Sequence, residues 1–276
     1  MSKFTKLPLP KQIMIYSILL VLIFLISYPF LWMVIGSFKT DQEIYSGSSF
    51  LPERPSFDNY INAWGKAPWM IYFKNTIITA LIPIAGQILL GSMAAFALTR
   101  KFNGTKIIFT FFLGTMMIPA EVTLIPNYVI LKNLGMINTY MALIIPFLTG
   151  AFSIFIIRQS FLSIPKDYED AAFIDGCGPF FFLFRLLMPL SKPALVTVAL
   201  MTFNERWNDY IYPMTMVTKD FMRTVQVGLG VFSNEGWRHW GEHLAASTFI
   251  TMPMIIMFLF VQKRFIDGIM AGGIKG

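Results

Sequence analysis

The chain has 276 residues, of which 55% are hydrophobic, 16% aromatic and only 13% charged. This composition excludes an ordinary soluble domain and predicts an all-α, polytopic membrane protein. The net charge of +7 does not indicate nucleic-acid binding, because the basic residues lie at the ends of apolar runs. The single cysteine, Cys177, excludes a disulfide framework within the chain.

Charge-free runs predict six transmembrane helices, most of them as long as the roughly 20 residues that a helix needs to cross the hydrocarbon core. The first run is too long for a cleaved signal peptide and lacks a small-residue cleavage site, so we expect it to be retained. We assign all of 1–276 to a single transmembrane domain. Its spans are placed near 13–37, 76–99, 107–131, 137–157, 193–212 and 244–262.

The distribution of charge between these spans predicts their orientation. With the amino terminus inside, the inner segments hold 13 Lys and Arg residues and five acids, and the outer segments hold nine and ten. Basic residues are enriched on the cytoplasmic side of membrane proteins. We therefore expect both termini to be cytoplasmic.

The segment 163–192, between the fourth and fifth spans, concentrates charge and helix-terminating residues. Ser163 can cap a helix, and Pro165 suits a first helical turn. Negative charge near a helix N-terminus is favourable. The acids of this first part are Asp167, Glu169 and Asp170.

Glycines then predict where this helix ends. Gly176 and Gly178 are expected to stop it, and Pro179 to open a second short helix. Ala172 and Gly176 are four residues apart and would form a face of small residues that another backbone can approach. The segment therefore predicts a cytoplasmic helix–turn–helix elbow.

The elbow resembles the EAA loop of ABC-importer permeases, in which Glu-Ala-Ala, a Gly after three more residues and a later Leu-Pro-like pair recur. Here the corresponding residues are Asp170-Ala171-Ala172, Gly176 and Met188-Pro189. Asp170 stands where Glu is usual and follows Glu169, so either acid is a candidate for the outward contact. The resemblance implies that the elbow couples the chain to an ATPase through Glu169, Asp170, Ala171, Ala172, Asp175, Gly176 and Pro189. An ordinary solvated loop helix is the alternative.

The resemblance extends from about residue 10 to the end of the chain. Further stretches that carry it are Met117-Ile118-Pro119, Leu134–Tyr140, Trp207-Asn208-Asp209-Tyr210 and Gly268–Gly276. In this order around the elbow, they identify the chain as a member of the carbohydrate-uptake permeases, similar to the second permease of maltose-type systems. The resemblance implies a type I ABC importer fold in a bacterial-type cytoplasmic membrane. At the tail, it implies a possible ATPase contact through Lys275 and Gly276, with a frayed end as the alternative.

The implied partners are a second permease in a heterodimer, two ATPase subunits and an extracytoplasmic substrate-binding protein. The chain has no Gly-x-x-x-x-Gly-Lys-Ser/Thr loop for phosphate and no nucleophile–base pattern. Its only histidines, His239 and His243, have no further metal ligand in view, so we expect no metal site. We therefore expect a transport subunit rather than an enzyme, with no cofactor of its own. ATP and magnesium would be bound by the partner ATPase.

Polar residues at the end of the fifth span are candidates for the solute path. Asn and Asp side chains bind hydroxyl groups, and Trp stacks on sugar rings. The candidates are Asn204, Trp207, Asn208 and Asp209. An interfacial aromatic belt with intramolecular ion pairs is the alternative.

Three other functions compete with a sugar importer. The same architecture would carry glycerol phosphate or another polyol if Arg206 lined the path. An ATP-independent secondary transporter or channel is disfavoured by the few acids within the spans and by the elbow. An intramembrane enzyme is disfavoured because no catalytic set is found.

Overall fold

The computed structural model describes residues 8–47, 49–100, 102–234 and 239–273, with side chains for all of these except 231–234 and 261–273. The described part of the chain is helical and contains no strand. Its α-helices, in chain order, are α1 (Leu9–Gly36), α2 (Asp41–Ser46), α3 (Asp58–Gly65), α4 (Trp69–Thr99), α5 (Thr105–Thr115), α6 (Ala120–Asn133), α7 (Tyr140–Ile144), α8 (Ala151–Ser163), α9 (Asp167–Ile174), α10 (Pro179–Phe182), α11 (Met188–Leu190), α12 (Lys192–Asn208), α13 (Ile211–Met216), α14 (Val225–Asn234) and α15 (Trp240–Gly273).

Four stretches of the described residues are long and apolar enough to cross a membrane. Two bent helix pairs raise the number to six if each pair is one span: α5 with α6, and Pro179–Leu190 with Lys192–Trp207. The four stretches are Leu9–Gly36, Trp69–Thr99, Tyr140–Ser163 and Trp240–Phe260. The predicted all-α membrane fold is therefore confirmed, and the number of spans stays a prediction.

Three of the predicted spans differ in detail from the helices observed. The third, 107–131, is two helices that meet at 97°, because Pro119 has no N–H to donate and its ring disfavours helical backbone at the preceding residue. The fourth, 137–157, begins at Tyr140, passes through a 3-10 turn at Ile145–Phe147 and continues to Ser163. The fifth, 193–212, ends at Asn208, where Asp209 is extended.

Contacts between residues divide the chain into two compact units, and the assignment of 1–276 to one transmembrane domain stays a prediction. The first unit comprises Met1–Ala67 and Leu229–Pro253. In it, Asn59 donates hydrogen bonds to the carbonyls of Ser37 (2.9 Å) and Lys39 (2.7 Å), which fixes the turn after α1. Lys66 and Glu242 form an ion pair at 2.6 Å.

Helix α2 in this unit begins with a capping box. The Thr40 hydroxyl accepts a hydrogen bond from the Glu43 N–H (3.3 Å), and the Glu43 carboxylate accepts one from the Thr40 N–H (2.8 Å). Hydrogen bonds from the backbone of Thr40 and of Glu53 lower the pKa of the Glu43 carboxyl. These bonds order the polar segment between the first two long helices.

The second unit comprises Pro68–Gly228 and Met254–Gly276, and α4, α8 and α12 pack together at its centre. Gly86 lets α4 lie close to the segment after the 3-10 turn, because a Cβ there would lie 2.7 Å from the Leu148 carbonyl oxygen. The Gln87 side chain ties the three helices together. It accepts hydrogen bonds from Ser153 of α8 and Thr202 of α12 (2.8 Å for the latter).

Candidate functional site

The elbow forms where the sequence predicts it, and its glycines explain the turn. Helix α9 ends at Ile174, and Gly176 follows with φ of +81°, a left-handed conformation that favours glycine. Cys177 N–H donates to the Ala172 carbonyl (2.9 Å), which closes the helix. Helix α10 then begins at Pro179, as expected. The predicted end of the first elbow helix and the start of the second are therefore confirmed.

The start of the elbow helix differs from the expectation. Ser163 is the last residue of α8, and its hydroxyl donates back to the Ser160 carbonyl (2.7 Å) instead of capping α9. Helix α9 begins at Asp167 after Lys166, which makes no side-chain cap. The extended backbone at Ile164, just before Pro165, separates the two helices.

The acids of α9 have different surroundings. Glu169 is half-buried and forms an ion pair with Arg100, at the carboxyl end of α4. Asp170 is exposed. Glu169 is therefore held within the chain and Asp170 is accessible, while the choice between them for an outward contact stays a prediction.

The small-residue face is not formed as expected. Ala172 is 6% exposed and packs in an internal cluster with Leu98 and Phe182, because the helical period turns it towards the core beside Glu169. Gly176 lies beyond the helix end and is exposed. The two residues therefore do not share one outward face.

The exposed residues of α9 differ in composition from the predicted face of small residues. Its residues recur at the helical spacing of three and four positions and combine acids with an isoleucine that is 86% exposed. They are Asp167, Asp170, Ala171 and Ile174. Asp175 and Pro189 are also exposed. We call Asp167, Asp170, Ala171 and Ile174 the acidic stripe; Tyr168 and Phe173 of α9 are exposed as well.

The solute-path candidates separate into buried and exposed residues. Trp207 is 2% exposed and stacks on Phe203, with 5.2 Å between ring centroids. Asp209 is half-buried and accepts hydrogen bonds from Arg206 (3.0 Å) and from the Tyr212 N–H (3.2 Å). These two residues hold the end of α12 in place.

Asn204 and Asn208 are exposed and lie one turn apart on α12. The Asn208 amide donates to the Asn204 side-chain oxygen (3.1 Å), and Gln226 donates to the Asn208 side-chain oxygen (3.4 Å). This edge presents amide donors and acceptors suited to hydroxyl groups.

Arg206 is buried among partners. Its guanidinium pairs with Glu205 (2.7 Å) and Asp209 (3.0 Å) and lies 3.5 Å from the centroid of the Phe147 ring. Two carboxylates neutralise its charge. A phosphate-binding role would leave these carboxylates unpaired.

The sequence did not predict the ion pair of Arg100 with Glu169. Arg100 counted there only as one of the basic residues that orient the chain. No local pattern marks this arginine as a partner of an acid 69 residues away. Among the described residues, no group of three or more His, Cys, Asp and Glu side chains has the arrangement of a metal site. The tail residues Lys275 and Gly276 lie outside the described residues.

The fold and site define a class: a helical membrane protein with an exposed acidic elbow between two of its apolar stretches. A family model described as "Binding-protein-dependent transport system inner membrane component" matches residues 87–270, and the chain belongs to this family. It is thus a permease subunit of an ABC transporter, and it resides in the membrane. The family assignment made from the sequence is confirmed.

Curated relatives match nearly the whole chain. The "Probable ABC transporter permease protein YurM" of Bacillus subtilis is 37% identical over 91% of this chain and 84% of that relative. The "Trehalose/maltose transport system permease protein MalG" of Thermococcus litoralis is 34% identical over 90% and 91%. The "Arabinooligosaccharides transport system permease protein AraQ" of Bacillus subtilis is 31% identical over 96% and 98%.

A solved structure has the same fold. It is a chain of a bacterial ABC transporter "involved in the import of the acidic polysaccharide alginate", with a TM-score of 0.82 and 24% identity. The match covers 94% of this chain and 99% of that one. The type I importer fold expected from the resemblance is therefore confirmed.

Proposed function

We propose that this chain is one of two permeases of a binding-protein-dependent importer for a sugar or oligosaccharide. It would form half of the path in a heterodimer with a second permease and receive solute from an extracytoplasmic binding protein. Two ATPase subunits, which bind ATP and magnesium, would drive the cycle. Similarity to permeases named for trehalose and maltose and for arabinooligosaccharides supports this substrate class.

The observation that carries the coupling role is the acidic stripe. An exposed isoleucine among acids at the tip of an elbow is suited to a groove with an apolar floor and basic walls. Asp170 would make the outward charged contact, and Ile174 would fill the groove. Closure of the ATPase dimer would then move the elbow and the helices joined to it.

For the solute path, the exposed amides favour Asn204 and Asn208 over Trp207 and Asp209. Each of the two asparagines offers hydrogen-bonding groups to a sugar hydroxyl. A glycerol phosphate substrate is less well supported, because Arg206 already pairs with two carboxylates. A neutral polyol is the remaining alternative.

The first experiment is co-purification from detergent-solubilised membranes with this chain as bait, followed by an ATPase assay of the eluate. We expect the wild type to retain a second permease and an ATP-hydrolysing subunit. Gly176→Leu should retain at least about tenfold less ATPase, which corresponds to a loss of about 1.4 kcal/mol in binding free energy. A chain that elutes folded and alone, and transports solute in liposomes without ATP, would contradict the proposal.

Gly104→Leu is the matched control. Gly104 also has a positive φ (+98°), and neither glycine has a neighbouring atom within 4 Å of an added Cβ. The two variants therefore carry a similar backbone penalty, about 1–2 kcal/mol, and differ in location. Equal loss of ATPase from both would show that backbone strain, and not docking at the elbow, is responsible.

A further inference from the structure

The Arg100 side chain joins the elbow to the second long helix. Arg100 follows directly after α4, and its guanidinium forms an ion pair with Glu169 in the first turn of α9. The side chains are 37% and 26% exposed, respectively. A pair that is partly withdrawn from water is screened less by salt than a fully exposed pair.

Aromatic rings on both elements hold the same guanidinium. Its central carbon lies 4.3 Å from the ring centroid of Phe96 in α4 and 5.8 Å from that of Phe173 in α9. Arginine combines a planar charged group with the ability to stack on such rings, which lysine does not match. The site therefore uses both the charge and the shape of Arg100.

Packing against α4 on one side, and an open cleft beside the ion pair, surround the Arg100–Glu169 contact. Ala172, three residues after Glu169, packs in the same internal cluster as Ala95 and Leu98 of α4. A cleft of about 330 Å³ lies beside the ion pair and is lined by Arg100 and Glu169 together with Phe161 and Phe182. The side of α9 that faces α4 is therefore packed against it, so a movement of α9 acts on α4 through these contacts.

We infer that Arg100 is a positioning residue that transmits elbow movement to α4. The two neighbouring acids have separate tasks: Glu169 holds the elbow to this chain through Arg100, and Asp170 meets the partner. The inference rests on the proposed coupling function of the elbow. It predicts that loss of the ion pair uncouples ATP hydrolysis from transport without releasing the ATPase.

The test uses the complete importer reconstituted in liposomes, with mixed malto-oligosaccharides and mixed arabino-oligosaccharides as probe solutes. The variants are Arg100→Glu, Glu169→Arg and the double exchange. We expect each single variant to retain the ATPase but to move at least about fivefold less sugar per ATP, the lower end of typical coupling effects. The double exchange should restore part of this ratio, because it re-forms the pair with reversed charges but not the stacking of Arg100 on Phe96 and Phe173.

Arg100→Lys separates charge from shape and should give an intermediate ratio, since it keeps the positive charge but loses the stacking. Lys106→Glu is the matched control, because Lys106 is an exposed basic residue six positions after Arg100, in the first turn of α5. Thermal unfolding of each complex in detergent reports any general loss of structure. A merely structural arginine would lower this stability without changing the sugar-to-ATP ratio of the complexes that remain folded.

Two results overturn the inference while leaving the proposed function intact. One is a wild-type sugar-to-ATP ratio in Arg100→Glu, and the other is a double exchange no better than the single variants. A wild-type chain that retains no ATPase or takes up neither sugar mixture would instead contradict the proposed function. The two failures are therefore distinguishable.

Discussion

Adjacent residues at the end of α12 have opposite surroundings. Trp207 is buried against Phe203, while Asn208 is exposed beside Asn204 and Gln226. Sequence reasoning grouped the tryptophan and the asparagine because both residue types occur in sugar sites. The helical rotation of 100° per residue separates them.

We expect Asn208→Ala to raise the sugar concentration for half-maximal uptake roughly three- to tenfold, since a hydrogen bond contributes about 0.5–1.5 kcal/mol. Trp207→Ala should instead cost about 3–5 kcal/mol of stability, because it empties a packed site. Uptake kinetics and thermal unfolding in detergent measure the two effects. An Asn208→Ala protein with unchanged uptake kinetics, or a Trp207→Ala protein of normal stability, would contradict this division.

The elbow shows which residue-level features a sequence can predict. Gly176 and Pro179 mark the helix end and the next helix start because their effects are local to the backbone. The inward position of Ala172 and the partner of Glu169 depend on where α4 lies. Such tertiary contacts are not encoded in the spacing of nearby residues.

At the scale of elements, hydropathy identified the apolar stretches but not their breaks. The run 107–131 is apolar throughout, yet α5 and α6 meet at 97°. Pro119 stands directly before the first residue of α6, where its missing N–H and fixed φ favour a helix start. An average over apolar residues carries no information about helix direction, so the sharpness of the bend could not be predicted.

Two glycines within helices provide a test of helix packing. A Cβ on Gly86 of α4 would lie 2.7 Å from the Leu148 carbonyl oxygen, whereas one on Gly114 of α5 would have no atom within 4 Å. We expect Gly86→Ala to destabilise the protein by about 1–3 kcal/mol through overpacking. Gly114→Ala should stabilise it by up to about 1 kcal/mol through helix propensity.

Thermal unfolding of both variants in the same detergent measures this contrast, and the two midpoints should move in opposite directions. Gly114→Ala serves as the control for the change of residue type itself. If Gly86→Ala unfolds at the wild-type temperature, the close approach of α4 to the segment after the 3-10 turn is not as described.

On the scale of the whole molecule, much apolar surface is left uncovered by the chain itself. Helix α1 is apolar on all sides, and Gly36 is the only one of its residues that is buried. A helix of this kind is stable only against lipid or another apolar helix. Membrane residence accounts for part of this surface, and the proposed second permease would account for more.

The orientation of the chain in the membrane can be tested with its own single cysteine. Cys177 is half-buried in the elbow between α9 and α10, which the charge distribution predicts to be cytoplasmic. We expect a membrane-impermeant maleimide to label the wild type in inside-out vesicles and not in right-side-out vesicles. Detergent should expose Cys177 in both preparations, and Cys177→Ser should remain unlabelled throughout. Labelling confined to right-side-out vesicles would place the elbow outside, where no ATPase could reach the acidic stripe, and would overturn both the orientation and the coupling proposal.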